Sequence, residues 1–159
     1  IASVLKTSSD QVIERVNQVV GTNKTLKKEL EEIRSSNFTS LSFDLHSETE
    51  QVGKYKLLTK RIDGEDNERL RVTADKLRTN KDKHIIILIS CIEDKIPGVV
   101  ALSKDISEID ARDIMQHLVS HLGGSGGGRA DFAQGGFDNE EEIDFALASV
   151  SDLLLSLKT

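Results

Sequence analysis

In 159 residues the sequence has one cysteine, one proline, one methionine and no tryptophan, and aromatic side chains make up only 4%. The single cysteine, Cys91, excludes an internal disulfide framework and fits a reducing compartment. It has no obvious histidine partner to activate it, which argues against a thiol nucleophile. It ends an apolar run, where it reads as an inert packing residue. No apolar stretch approaches the length of a membrane span and no segment has the pattern of a signal peptide, so a cytoplasmic chain without membrane contact is expected. The chain opens on Ile1 and its one methionine is Met115, from which a fragment of a longer protein is expected. His117 and His121 stand four apart, a spacing that metals use, but no third ligand follows, and both read as surface residues on the polar side of a helix. The carboxylates fall in helical charge runs. No constellation joins nucleophile, base and anion stabiliser, so this unit alone is not expected to be an enzyme and is expected to hold no metal or cofactor.

The formal charge is −6, a poor footprint for tight autonomous binding to nucleic acid. The charge is unevenly spread. Residues 54–83 hold ten basic side chains against six acidic ones, hence +4, which leaves −10 for the remainder. This segment, including Lys60 and Arg61, reads either as a weak phosphate-facing surface or as ordinary solvated faces.

What the chain does have is glycine in one place. Seven of its eleven glycines fall within the fourteen residues from Gly123 to Gly136. Such a run reads as a flexible connector or as a loop that lets backbone N–H groups converge on an anion. Gly124, Gly126, Gly127 and Gly128 would supply the N–H groups, and the planar fork of Arg129 would pair with a phosphate or with Asp131. Two familiar glycine motifs fail on spacing. Arg129-Ala130 stands where a nucleotide-triphosphate loop needs Lys-[Ser/Thr]. A dinucleotide fingerprint begun at Gly124 would end on Arg129 and would have to follow a strand.

Periodicity divides the chain into a helical segment, 1–51, and an α/β domain with a mixed sheet flanked by helices, 52–159. Ser8, Ser9 and Asp10 are N-cap candidates. Val12, Val16, Val19, Asn23, Leu26, Leu30 and Ile33 then repeat at 4-3-4-3-4-3, an a/d seam of about three heptads and about 33 Å. The seam reads as a self-association surface, an intramolecular hairpin, or a helix packed on its own domain. Residues 36–51 are expected to return as a helix and to form the hinge. Beyond them the pattern predicts a strand at 55–62, a helix over 65–79 and a central strand at 84–92 covered on both faces. A turn near Pro97-Gly98 leads into a returning strand at 98–103. A helix over 110–122 has Ile114, Met115, Leu118, Val119 and Leu122 inward and is capped by Gly123. Residues 130–134 read as an edge or terminal strand. Asp138 and Glu141 resemble a capping box for a last helix lined by Ile143, Leu147, Val150, Leu154 and Leu157.

The run Gly-Gly-x-Gly-Gly-Gly-Arg-x-Asp-Phe-Ala-Gln-Gly-Gly resembles the C-terminal domain of alanyl-tRNA synthetases, within the DHH-associated superfamily. Val99-Val100-Ala101-Leu102-Ser103-Lys104-Asp105 and Ala146-Leu147-Ala148-Ser149-Val150 agree with it. Asp10-Gln11-Val12-Ile13-Glu14-Arg15-Val16 resembles the start of the helical hairpin that precedes the domain, so the resemblance covers nearly the whole chain. It implies binding of tRNA of alanine specificity at its outer corner, self-association in many members, and support of aminoacylation and editing performed by other domains. The ATP, magnesium and zinc sites of such an enzyme belong to those other domains. Related phosphoesterases usually carry His where this chain has Arg129, which speaks against phosphodiester hydrolysis. In an RNA-binding domain Gln134 would read a base edge or a 2′-hydroxyl, or brace the glycine turn. Lys104 would reach the ligand from a strand end or pair with a neighbouring acid. Two rival readings remain: a dimerisation module without RNA binding, and the substrate-binding domain of a phosphoesterase.

Overall fold

The computed structural model describes Ser8, residues 11–78 and residues 82–157, with the backbone alone over 34–47. The N-cap candidates Ser9 and Asp10, the expected helix end at Thr79, and Lys81 lie outside the described residues. The chain divides into two compact units, residues 1–41 and 42–159. Helix α1, which runs Val12–Ser47, forms most of the first and extends past residue 41. Its backbone is helical throughout, so the expected return after residue 36 does not occur. No proline or glycine stands between 22 and 52 to break it, and the polar residues there continue a helix as readily as they leave one.

The second unit is a six-stranded mixed sheet in the order β1-β2-β3-β4-β6-β5. Its strands are β1 (Glu50–Val52), β2 (Tyr55–Arg61), β3 (His84–Ile89), β4 (Ile96–Leu102), β5 (Ser125–Gly128) and β6 (Phe132–Phe137). Helix α2 (Asn67–Leu77) carries the chain between β2 and β3, the one parallel pair, and the other pairs are antiparallel. β3 is β-branched at four of six positions and buried along its length, as a strand covered on both faces must be. Its residues alternate between two cores. Ile85, Ile87 and Ile89 face helices α3 (Ala111–Leu122) and α4 (Ile143–Ser156). Ile86 and Leu88 face the other way, toward α2, whose Leu70, Ala74 and Leu77 are buried.

The helix ends follow from local chemistry. Asp66 accepts from the Arg69 N–H at 2.9 Å and Asp110 from the Arg112 N–H at 2.9 Å, each satisfying a first-turn donor. Gly123 closes α3 at φ 71°, where a side chain would be strained, and its N–H donates to the Val119 carbonyl. Asp138 and Asn139 donate their N–H groups to the Leu122 carbonyl, tying the entrance of α4 to the end of α3.

Several expectations shift. β1 was not anticipated. The turn between β3 and β4 lies at Glu93-Asp94, between the bridged Ile92 and Lys95, so Pro97 sits inside β4 near its start. The Asp138/Glu141 capping box does not form: α4 begins at Ile143, and it is Asn139 that accepts from the Glu141 N–H. Leu157 is half exposed rather than part of the core. His117 and His121 are not on an outer polar face. His117 Nε2 meets Ser149 Oγ of α4 at 2.8 Å, and its ring stands edge-on to His121 with centroids 4.8 Å apart.

Two predictions follow from this packing. Burial, with a smaller contribution from His121, holds the His117 pKa below its usual value. The unfolded chain, titrating at about 6.5, therefore binds the proton more tightly, and stability declines as pH falls from about 7.5 toward the folded pKa. Urea midpoints at about pH 7.5 and about 5.5 should differ less in His117→Gln than in the parent protein; equal differences would remove His117 from the acid sensitivity. Within the glycine run, a Cβ on Gly124 would lie 2.1 Å from the Gly136 carbonyl oxygen at φ 85°, whereas one on Gly127 meets nothing within 4 Å. Gly124→Ala should cost about 2 kcal/mol or more, and Gly127→Val should stay within about 0.5 kcal/mol of the parent. Equal melting temperatures for the two variants would contradict the packing described.

Candidate functional site

The glycine run is not a loop. Ser125–Gly128 is an edge strand, and its ladder to β6 pairs Ser125 with Gly136, Gly126 with Gly135, Gly127 with Gln134 and Gly128 with Ala133. β6 is therefore internal, between β4 and β5; of the edge or terminal strand expected, it is the last strand in chain order but not an edge. In an extended strand, successive N–H groups point to opposite edges and cannot converge on one anion. The glycines serve a different purpose on each face of the sheet.

On the α3 face they make room. A Cβ on Gly126 would lie 2.7 Å from Met115 Cγ, and one on Gly135 would lie 2.9 Å from Met115 Sδ. One on Gly128 would lie 2.3 Å from the Phe132 carbonyl oxygen. Met115 is almost wholly buried and cannot yield cheaply. On the opposite face, which carries α2, the alternation places Ser125, Gly127, Phe132, Gln134 and Gly136. Here a Cβ on Gly127 or Gly136 would meet nothing within 4 Å. Neither glycine has positive φ. The fold has no need of them, and glycine inside a strand costs about 0.5–1 kcal/mol relative to alanine. What they leave is a bare peptide surface open to solvent, with Gln134 standing exposed between them.

Cations border this surface unequally. Arg129, at the β5–β6 turn, has a side chain 72% exposed and only a long contact, 3.5 Å, to Asp131. Its N–H donates to the Phe132 carbonyl, which closes the turn. The Leu102 N–H donates to the Asp131 carbonyl, so exposed Lys104, two residues beyond β4, lies at the same end of the sheet. Arg71 of α2 and Arg78, the residue that caps its C-terminus, hold their guanidinium carbons 5.6 and 5.7 Å from the Phe132 ring centroid. Arg78 is the bound one of the two, 17% exposed and paired with Asp75 at 2.6 Å and Asp131 at 3.3 Å. Arg71 keeps more than half its surface and only a 3.9 Å contact to Asp75. Ser125 and Gly136 were not singled out from the sequence, and Arg71 only as one of the ten basic residues of 54–83. Helical periodicity marks Arg71 merely as surface, and it gains meaning only from the ring it covers.

Lys60 and Arg61 sit elsewhere. Lys60 pairs with Leu88, and Arg61 with Ile89, on β3, at the end of the sheet away from Arg129. Both are engaged: Lys60 with Glu48, and Arg61 with Asp63 at 2.8 Å and with Glu140. The Asp63 carboxylate foremost, then Glu140, raises the Arg61 pKa, while Arg61 holds Asp63 below the usual carboxylate range. Nearby Cys91 is pushed up by burial, which keeps it a thiol. The structure thus places Arg129 and Lys104 at one end of the sheet, Gln134 and Gly127 in the same register row as Lys60 but across β3 and β4 from it, and Arg61 one residue further toward the other end. Along α1, Val16, Val19, Asn23, Leu26, Leu30 and Ile33 of the seam are exposed and Val12 partly so. Among the described residues no group of three metal-ligating side chains occurs, and no helix is long and apolar enough to cross a membrane.

Residues 54–156 match the DHHA1 domain family. The alanine–tRNA ligase of Saccharophagus degradans is 36% identical over 152 residues, covering 95% of this chain and 17% of that enzyme. The chain thus spans about a sixth of the length of the curated relatives it matches. Among solved structures, the C-Ala domain of Aquifex aeolicus alanyl-tRNA synthetase superposes with a TM-score of 0.63 at 33% identity, over 67% of this chain and 96% of that one. RecJ from Thermus thermophilus, solved with Mg²⁺, shares the fold at 15% identity and a TM-score of 0.57, over 94% of this chain and 21% of that one. With residues 54–156 matched by the family and 96% of a C-Ala domain covered at 33% identity, the chain belongs to the DHHA1 family and, within it, to the alanyl-tRNA synthetase C-terminal domains.

Proposed function

We propose that this chain is the tRNA-gripping C-terminal region of an alanine–tRNA ligase, and that aminoacylation and editing, with their ATP, magnesium and zinc, reside in other domains of the parent enzyme. The observation that carries the reading is the open peptide surface at Gly127 and Gly136. A floor of open peptide at Gly127 and Gly136, broken by the Gln134 amide and the small Ser125 side chain, suits an exposed base or base pair lying against it. Arg71 and Gln134 offer a planar cation and an amide at its margin, and Arg129 and Lys104 offer phosphate contacts at the adjacent end. Stacking on a peptide floor needs no aromatic platform, which suits a chain so poor in aromatics. With a net charge of −6 and few unengaged cations, affinity should be modest and strongly salt-dependent.

Titration with tRNA of alanine specificity at two salt concentrations tests this directly. Binding should weaken with salt. Arg129→Ala should lower both the affinity and the salt slope, the latter by about one contact. Gly127→Val, which the fold tolerates, should weaken binding about tenfold, as lost stacking would. Wild-type binding that neither variant changes would move the site elsewhere, and no binding at low salt would end the RNA reading for this unit.

A second reading rests on α1. An exposed a/d seam interrupted by one amide, Asn23, suits association between copies, with the amide setting register at some cost in stability. Asn23→Leu should then raise the melting temperature of the assembly or broaden its mass distribution in sedimentation. A variant with unaltered mass and melting would place Asn23 outside any such seam. The phosphoesterase reading has less support: Arg129 stands where that group usually carries His, and the likeness to RecJ is one of fold alone.

A further inference from the structure

The side of the domain opposite the proposed RNA face carries an aromatic patch that the tRNA reading does not use. Phe145, in the first turn of α4, is 64% exposed. It is nevertheless held in place: its ring stands edge-on to His121, with centroids 5.6 Å apart. His121 in turn stands edge-on to His117, which meets Ser149 Oγ, and that hydroxyl donates to the Ala146 carbonyl at 2.7 Å. One and three turns further along the same outward face stand Ala148 and Leu155, both exposed. The helix and the segment that leads into it carry one sign of charge. Residues 138–157 contain six carboxylates and no lysine or arginine. Glu140 is engaged by Arg61, while Glu141, Glu142, Asp144 and Asp152 remain exposed.

We infer that this outer face of α4, with Phe145 as its anchor, docks a lysine- or arginine-bearing amphipathic helix belonging to another part of the same polypeptide. The carboxylate rim repels phosphate and so excludes the RNA that the opposite face is proposed to hold. It complements a basic protein segment, and the pre-set ring offers the rigid apolar anchor that helix-in-groove contacts use. The inference rests on the chain being part of a longer ligase. This chain spans only 17% of such a relative, so a tethered segment is present at high effective concentration and needs little intrinsic affinity.

The test uses the full-length polypeptide without tRNA, which separates it from the RNA reading. A photo-reactive phenylalanine analogue is placed at Leu155, in an equal mixture of isotope-labelled and unlabelled protein, and the cross-linked peptides are sequenced. The expected product joins α4 to a Lys/Arg-rich helical peptide of the same molecule. Its yield should fall at least fivefold in Phe145→Lys, and also in high salt, with the melting temperature unchanged because Phe145 is outside the core. Cross-links between labelled and unlabelled molecules, cross-links to an acidic segment, absence of any cross-link, or a yield indifferent to Phe145→Lys would each overturn the proposal.

Discussion

The close approach of α3 to the β5–β6 hairpin is the contact on which the rest of the site depends. Met115 lies where side chains from Gly126 and Gly135 would otherwise project. A buried helix can sit this low only on strands stripped to the backbone, because interiors are packed too densely to absorb an added methyl group. While the Phe132 carbonyl bars a side chain at Gly128, this requirement accounts for Gly126 and, together with the Ser125 carbonyl, for Gly135. It leaves Gly127 and Gly136, which alternate to the other face, with no structural duty. The division of one glycine run into a packed face and an open face makes a binding surface the natural use of the second.

Charge sorting gives that surface its direction. The chain is acidic overall, yet its cations are not interchangeable. Lys60, Arg61 and Arg78 are committed to nearby carboxylates. Arg129, Lys104 and Arg71 keep their charge for solvent or a ligand, and all belong to the end of the sheet where β5 turns into β6. The unpaired carboxylates of residues 138–157 collect around α4, on the other side of the sheet. On the proposed reading, a folded RNA would meet a small cationic margin around the glycine floor on one side and a repelling surface on the other, so that a modest number of contacts would orient it.

Much of this was legible in the residues. The run of isoleucines in β3, the 3.6-residue pattern of α2 and α3, and Gly123 as a helix stop each encode local structure that formed, although β3 ends at Ile89 where the sequence carried the strand to residue 92. The glycine run did not. Glycine has low strand propensity, so nothing local marks Ser125–Gly128 as a strand; the pairing with β6 and the pressure of Met115 impose it. Lys60 and Arg61 read as cations available to phosphate because their partners, Glu48 and Glu140, are distant or unremarkable in sequence. The same blindness hid His117, whose partner Ser149 lies 32 residues on. Arg71 stood in the sequence as one basic residue among ten, and its distinct place followed only from the Phe132 ring beside it. Helix α1 ran past its expected end because polar composition alone is no stop signal.

Backbone amide shifts of the isotopically labelled chain, followed as tRNA is added at low salt, test the central claim most directly. The account predicts that perturbations gather on Gly127, Gln134, Gly136, Arg129 and Arg71, and leave the amides of α4 unmoved. Perturbations centred on α4 or on the Lys60–Arg61 end of β2, with the β5–β6 hairpin silent, would contradict it.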